Sequence, residues 1–137
     1  MRAATPEQLR FFLDRSLGGR QVPALLKAAG LDVLTLADVY GVPADEDVAD
    51  AEWLEKAGRS GWVVLMKDER IRYRTAERAA LVDGDVRAFC LTSGNLRAAQ
   101  MAEAFLDNLA GIRKACQESG PFLYAVSARG LRRLDLS

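Results

Sequence analysis

Histidine is absent from this 137-residue chain. That one absence removes Ser-His-Asp and Cys-His catalysis, together with every histidine-containing zinc site. Cysteine is scarce as well. Cys90 lies in an apolar run and Cys116 in a helical stretch; two thiols cannot supply four thiolates, and they read as buried or incidental rather than as a disulfide framework. The phosphate loops G-x-x-x-x-G-K-[ST] and G-x-G-x-x-G are missing, and the Gly18-Gly19 pair is too little to stand for either. No apolar run approaches the ~20 residues that span a bilayer. The opening MRAATPEQLR has no apolar middle of the kind a signal peptide carries. The expectation is therefore a cytoplasmic protein without a membrane partner, whose chemistry is left to carboxylates, hydroxyls, amides and basic side chains.

What is present suits one ordinary domain, residues 1–137, without repeat, low-complexity tract or linker. Half the residues are apolar, and 19 basic residues balance 19 acidic ones, which excludes disorder and fibrous classes. A net charge of zero does not announce a nucleic-acid partner. It does not exclude one either, because only the charge of the binding face matters.

Along the chain, apolar runs alternate with helical spacings. Leu9 to Leu13 (LRFFL) ends abruptly at Asp14 and predicts a buried strand. Val22, Leu25, Leu26 and Ala29 follow at helical spacing, with Pro23 in the first turn and Gly30 as C-cap. Val33 to Leu36 completes a first βαβ unit. The polar Gly41 to Asp47 reads as a loop, and a helix is expected from about Asp47 to Ala57. Trp62 to Met66 (WVVLM) is a second central strand, stopping at Lys67-Asp68-Glu69. A helix over Thr75 to Leu81, a strand over Val86 to Leu91, one long helix from Leu96 to Cys116 and a strand pair at Phe122 to Val126 and Leu131 to Leu134 complete the reading. Such alternation predicts an α/β fold with a mostly parallel sheet covered on both faces.

In that fold the strands point their carboxyl ends to one edge, where ligands bind near a reversal of strand order. Asp14 ends the first strand, Asp68 ends the Trp62 to Met66 strand, and Asp50 lies in the first turn of a helix entered from the Leu36 side. Three carboxylates at one edge repel unless a cation offsets them. Hard oxygen donors favour Mg²⁺ or Mn²⁺, an ion able to activate water and to stabilise charge on a phosphodiester without histidine. Each acid also has a plainer role: Asp14 as a turn residue, Asp50 as part of an acidic first turn, Asp68 within a solvated turn. Only their common edge argues for a site.

FFLDR at the start, DAEWLEKA from Asp50 to Ala57, GWVVLMKDERIRYR and AFCLTSGN together resemble the PIN-like domains of VapC-type toxins, over nearly the whole chain and in order. The resemblance implies a PIN-like three-layer sandwich and a metal-dependent ribonuclease, the toxin of a type II toxin-antitoxin pair with a cognate antitoxin as partner, and often a homodimer. By position it places the catalytic and metal-binding acids on Asp14, Asp50 and Asp68. Glu52 competes for the second place; at ~200° from Asp50 around the helix, only one of the two faces the site. The spacing to Trp53, Leu54 and Ala57 favours Asp50.

The sequence departs from the family where a further aspartate is usual, carrying Thr92-Ser93-Gly94-Asn95 instead. Ser93 or Asn95 is a secondary candidate for holding water or metal, and equally a cap for the long helix. Arg70, Arg72 and Arg74 alternate after Asp68, and Lys67 and Arg15 flank the acids. Guanidinium forks suit phosphate, so Arg15, Lys67, Arg70 and Arg72 are candidate RNA contacts, with Tyr73 placed to stack on an unpaired base; ion pairs with Glu69 and Glu77 are the plainer alternative. Trp53, Trp62, Phe11, Phe12 and Phe89 read as core. Two other functions stay open: an inactive PIN-like binding protein, and a phosphoacceptor receiver-like domain, against which stand the lack of an acid paired with Asp14 and of a lysine after the Phe122 to Val126 strand.

Overall fold

The computed structural model describes residues 9–136, so the reading of the opening segment as free of a signal peptide lies, for its first eight residues, outside the described ones. Six strands form one sheet: β1 (Arg10–Leu13), β2 (Asp32–Leu34), β3 (Val63–Lys67), β4 (Arg87–Leu91), β5 (Phe122–Ser127) and β6 (Gly130–Leu134), in the order β2-β1-β3-β4-β5-β6. All neighbours run parallel except β6, which returns antiparallel on β5 through a tight turn.

The near-continuous apolar character of the parallel strands follows from burial on both faces. Successive side chains alternate: Phe11, Leu13, Val63, Leu65, Phe89, Leu91, Phe122 and Val126 pack into one layer with Leu26, Phe105 and Ile112, whereas Phe12, Val64, Met66, Ala88, Cys90 and Leu123 face Trp53, Leu54, Ala57 and Leu81. Helices α1 (Gln21–Ala28), α5 (Ala98–Asp107) and α6 (Leu109–Ala115) thus cover one face. Helices α2 (Leu36–Tyr40), α3 (Asp50–Ser60) and α4 (Thr75–Asp83) cover the other. This is the α/β three-layer sandwich that the alternation and the family resemblance implied. α3 and α4 approach so closely that a Cβ on Gly58 would collide with the Gly84 carbonyl. Among the described residues, no helix is long and apolar enough to cross a membrane.

Three boundaries differ from the sequence reading for identifiable reasons. Val33 to Leu36 is not one strand: β2 stops at Leu34, because Thr35 caps α2 with a reciprocal pair, the Asp38 N–H on Thr35 Oγ1 (3.2 Å) and the Thr35 N–H on Asp38 Oδ2 (2.9 Å). The helix expected from Asp47 starts at Asp50, after a 3₁₀ turn over Ala44–Asp47. The single long helix is two. Asn108 breaks it, its side-chain amide donating to the carbonyls of Ala104 (2.8 Å) and Ser127 (3.1 Å), so the break pins the helix pair to the end of β5. Local propensity could not reveal a partner 19 residues away.

The topology sets the site. From β1 the chain steps outward to β2, then returns to the opposite side of β1 as β3. The strand order therefore reverses between β1 and β3, the position where open parallel sheets leave a crevice at their carboxyl ends.

Candidate active site

Asp14 and Asp68 leave the carboxyl ends of the two strands that flank this reversal. The Asp14 backbone N–H extends the β1–β3 ladder onto Leu65 O (2.9 Å), and that of Asp68 does the same from β3 to Leu91 O of β4 (2.9 Å). Beyond these bonds each chain turns. Asp14 caps the 3₁₀ turn Arg15–Leu17, its Oδ2 accepting from the Ser16 N–H (3.3 Å) and the Ser16 hydroxyl (2.5 Å). The same hydroxyl accepts from the Lys67 N–H (3.0 Å). Ser16 thereby ties the exit of β1 to the end of β3 while holding Asp14 in place.

Asp50 opens α3. The indole N–H of Trp53, one turn on, donates to Asp50 Oδ1 (3.1 Å), and Trp53 itself is buried against Phe12 with ring centroids 5.2 Å apart. A core residue thus steers an exposed carboxylate. The Asp68 side chain is 21% exposed against 63% for Asp50. Its Oδ1 accepts from the Arg70 N–H (2.9 Å), and its Oδ2 pairs with Arg74 Nε (2.7 Å).

Asp14, Asp50 and Asp68 line one open cavity of about 510 Å³, with Ser16, Trp53, Arg74 and Glu77 among its other walls. Glu52 does not line it; it is exposed elsewhere on α3, close enough to Tyr40 that its charge adds to the effect of burial in raising the Tyr40 pKa. The carboxylates share the cavity without converging. Among the described residues, no group of three or more His, Cys, Asp or Glu side chains is close enough together to hold a metal ion.

Ser93 and Asn95 line neither this cavity nor the adjoining cleft of about 340 Å³ between Ser16, Lys67, Asp68, Glu69, Arg70 and Arg74. Neither caps the following helix, because α5 begins only at Ala98, where the Arg97 N–H donates to Gln100 Oε1 (2.8 Å). Asn95 instead takes a left-handed turn (φ 58°). The Glu69 carboxylate lies over Gly94, where a Cβ would collide with it.

Of the basic candidates, Lys67 and Arg70 line the adjoining cleft, and Arg72 is exposed on the turn Ile71–Tyr73 beside the 75% exposed Tyr73. Arg15 is used by the fold: its Nη2 donates to the carbonyls of Val48 (3.0 Å) and Asp45 (3.3 Å), with Asp50 Oδ1 at 4.0 Å from Nη1, so it fastens the loop before α3 to the end of β1. Cys90 lies beneath the site, its thiol donating to the Asp68 carbonyl (3.6 Å). Burial, and secondarily the Asp68 charge, push that thiol up to about 12, which leaves it protonated and unreactive at neutral pH.

A family model described as a PIN-like domain matches residues 9–93. The chain belongs to the PIN-like family. The matched span of this PIN-like domain runs from the residue before β1 to the loop after β4, so it contains Asp14, Asp50 and Asp68 and stops one residue before Gly94. Over 115 residues the PIN-like chain is 37% identical to a Mycobacterium tuberculosis protein named "Putative ribonuclease VapC45", covering 84% of this chain and 83% of the relative. No solved structure matches.

Ser16, Glu77, the Trp53 indole and the role of Arg74 escaped the reading of the sequence as parts of the site. Ser16 had a signal, since a hydroxyl two residues after an aspartate suits a local turn. Trp53 had one too, three residues after Asp50 on the same helical face. Arg74 had a signal in its place among the arginines after Asp68, but ion pairs were expected with Glu69 and Glu77 and the structure pairs it with Asp68.

Proposed function

We propose that this PIN-like chain is one domain acting as a metal-dependent endoribonuclease, the cytoplasmic toxin of a toxin-antitoxin pair with a cognate antitoxin as its protein partner. The observation that carries the reading is that Asp14, Asp50 and Asp68, from three separate segments, line one open cavity at the strand-order reversal; the ribonuclease name of the relative gives the reaction class.

The donors are of the right kind for Mg²⁺ or Mn²⁺: carboxylate oxygens, without histidine or thiolate. Asp14, Asp50 and Asp68 would hold the ion. When bound it would supply an activated water and offset the negative charge developing on the scissile phosphodiester. The chain's own residues do the rest. Ser16 orients Asp14, and the Trp53 indole orients Asp50. Lys67 and Arg70 seat the RNA backbone along the cleft beside Asp68, and Arg72 on the neighbouring turn extends the grip, with the exposed Tyr73 ring offered to an unpaired base. Arg15 keeps the loop before α3 in place.

The test is cleavage of a mixed RNA pool by the wild type and Asp14→Asn, each with Mn²⁺, Mg²⁺ or EDTA. Cleavage that needs metal and vanishes in Asp14→Asn is the expected result. A second reading, a PIN-like binding protein without activity, is favoured by the lack of convergence among the acids and by the neutral Thr92-to-Asn95 loop. Absence of cleavage by folded protein across varied RNAs, with retained RNA binding, would replace the first reading by this one.

A further inference from the structure

The three acids are not equally available to a cation. Asp14 has Oδ2 engaged by Ser16, and Asp50 has Oδ1 engaged by Trp53; among the described residues no protein donor meets Asp14 Oδ1 or Asp50 Oδ2. Asp68 has both oxygens engaged, Oδ1 by the Arg70 N–H and Oδ2 by Arg74 Nε at 2.7 Å. The last bond is charge-assisted and joins a side chain 47% exposed to one 21% exposed, both of which line the cavity. Arg74 therefore sets a guanidinium against an oxygen that Asp68 would otherwise turn to a metal.

Its backbone and side chain are differently constrained. The Arg74 N–H closes the 3₁₀ turn onto Ile71 O (3.1 Å), and its carbonyl accepts the first helical bond of α4 from Arg78 (3.1 Å). The Cα is fixed between two turns. The side chain, 47% exposed, borders both the acidic cavity and the adjoining cleft, so on leaving Asp68 it can turn into solvent.

Resting on the metal-site reading above, we propose that Arg74 is a built-in counter-charge that competes with the divalent cation for Asp68. In the metal-free protein it sets a positive charge against the one acid of the three whose two oxygens are both engaged. The cation then binds only as the guanidinium is displaced, which weakens the measured affinity by the strength of the ion pair. Arg74 is thus a positioning residue that sets the metal concentration at which the site assembles.

The experiment is titration of the whole chain with Mn²⁺ by calorimetry, together with the Mn²⁺-induced rise in melting temperature, for the wild type, Asp68→Asn, Arg74→Gln, Arg74→Lys and Arg72→Gln. Arg74→Gln is expected to bind Mn²⁺ about threefold to tenfold tighter and to gain more in melting temperature, with Arg74→Lys close to wild type and Asp68→Asn weaker. Arg72→Gln removes the same charge two residues away without touching Asp68, and is expected to change affinity less than twofold or so. Equal tightening by Arg72→Gln would overturn the proposal in favour of bulk charge. Unchanged or weaker binding by folded Arg74→Gln, with Asp68→Asn still weakened, would overturn it while leaving the metal site standing. Wild type and Asp68→Asn binding Mn²⁺ alike, or not at all, would remove the metal site and the proposal with it.

Discussion

The segments that leave β3 and β4 begin from the same backbone position and end with opposite chemistry. β3 and β4 are paired in register from Val63 and Arg87 to Lys67 and Leu91, and the Asp68 N–H carries the ladder one step further. After β3 come Asp68, Glu69, Arg70, Arg72 and Arg74, a charge at nearly every step; after β4 come Thr92, Ser93, Gly94 and Asn95, none of them charged. The first segment supplies an acid, its counter-charge and the lining of the basic cleft. The second supplies space: Gly94 leaves room for Glu69, and Asn95 makes the left-handed turn that sends the chain to α5. A place at the carboxyl edge of a parallel sheet is therefore necessary for a site residue but does not make one. The strand-order reversal is at β1 and β3, and the acids follow it rather than the edge as a whole.

The largest test of this difference is to neutralise each loop in turn. Asp68→Asn is expected to lower metal-dependent RNA cleavage by on the order of 10²-fold, while Asn95→Ala stays within about threefold of wild type; comparable losses would make the β4 loop part of the site. The strand beneath the loops gives an intermediate effect. Cys90 is fully buried with its thiol on the Asp68 carbonyl, and Cys90→Ala is expected to cost about 1–2 kcal/mol in denaturant unfolding. The pH dependence has a defined sign. Because burial raises the folded thiol pKa from 9.0 to about 12, the unfolded chain loses this proton first, so stability is intact below about 9 and declines as pH rises towards 12. The wild type should lose stability over that interval faster than Cys90→Ala, and identical slopes would show that the thiol is not held protonated. The smallest effect is expected at Gly94. An alanine there has the movable end of the exposed Glu69 side chain as its nearest neighbour, so Gly94→Ala should cost less than ~1 kcal/mol; a loss of several would show that Glu69 is fixed and that the two loops act as one unit.

Much of the fold was legible because strands buried on both faces cannot hide their composition. RFFL, VVLMK and RAFCL announce themselves as apolar runs too short for helices, and Asp14 and Asp68 mark their ends. The errors fell where a polar side chain chose its partner. Thr35 turned an apparent strand into a helix start, and Asn108 split one amphipathic helix in two. The capping alternative for Asn95 or Ser93 failed for a related reason: a residue preferred as a cap does not cap when the chain turns away before the helix begins.

The sequence by itself determined the α/β alternation, the absence of histidine chemistry, and the placing of Asp14 and Asp68 at strand ends, since composition and period act locally. Which acid of α3 shares their cavity, that Trp53 and Ser16 orient two of the three, that Arg15 serves the backbone, and that Arg74 occupies Asp68 were decided only in the tertiary structure. Hydrogen bonds and ion pairs reach about 3 Å whatever the separation along the chain, and only folding chooses which groups stand at that distance.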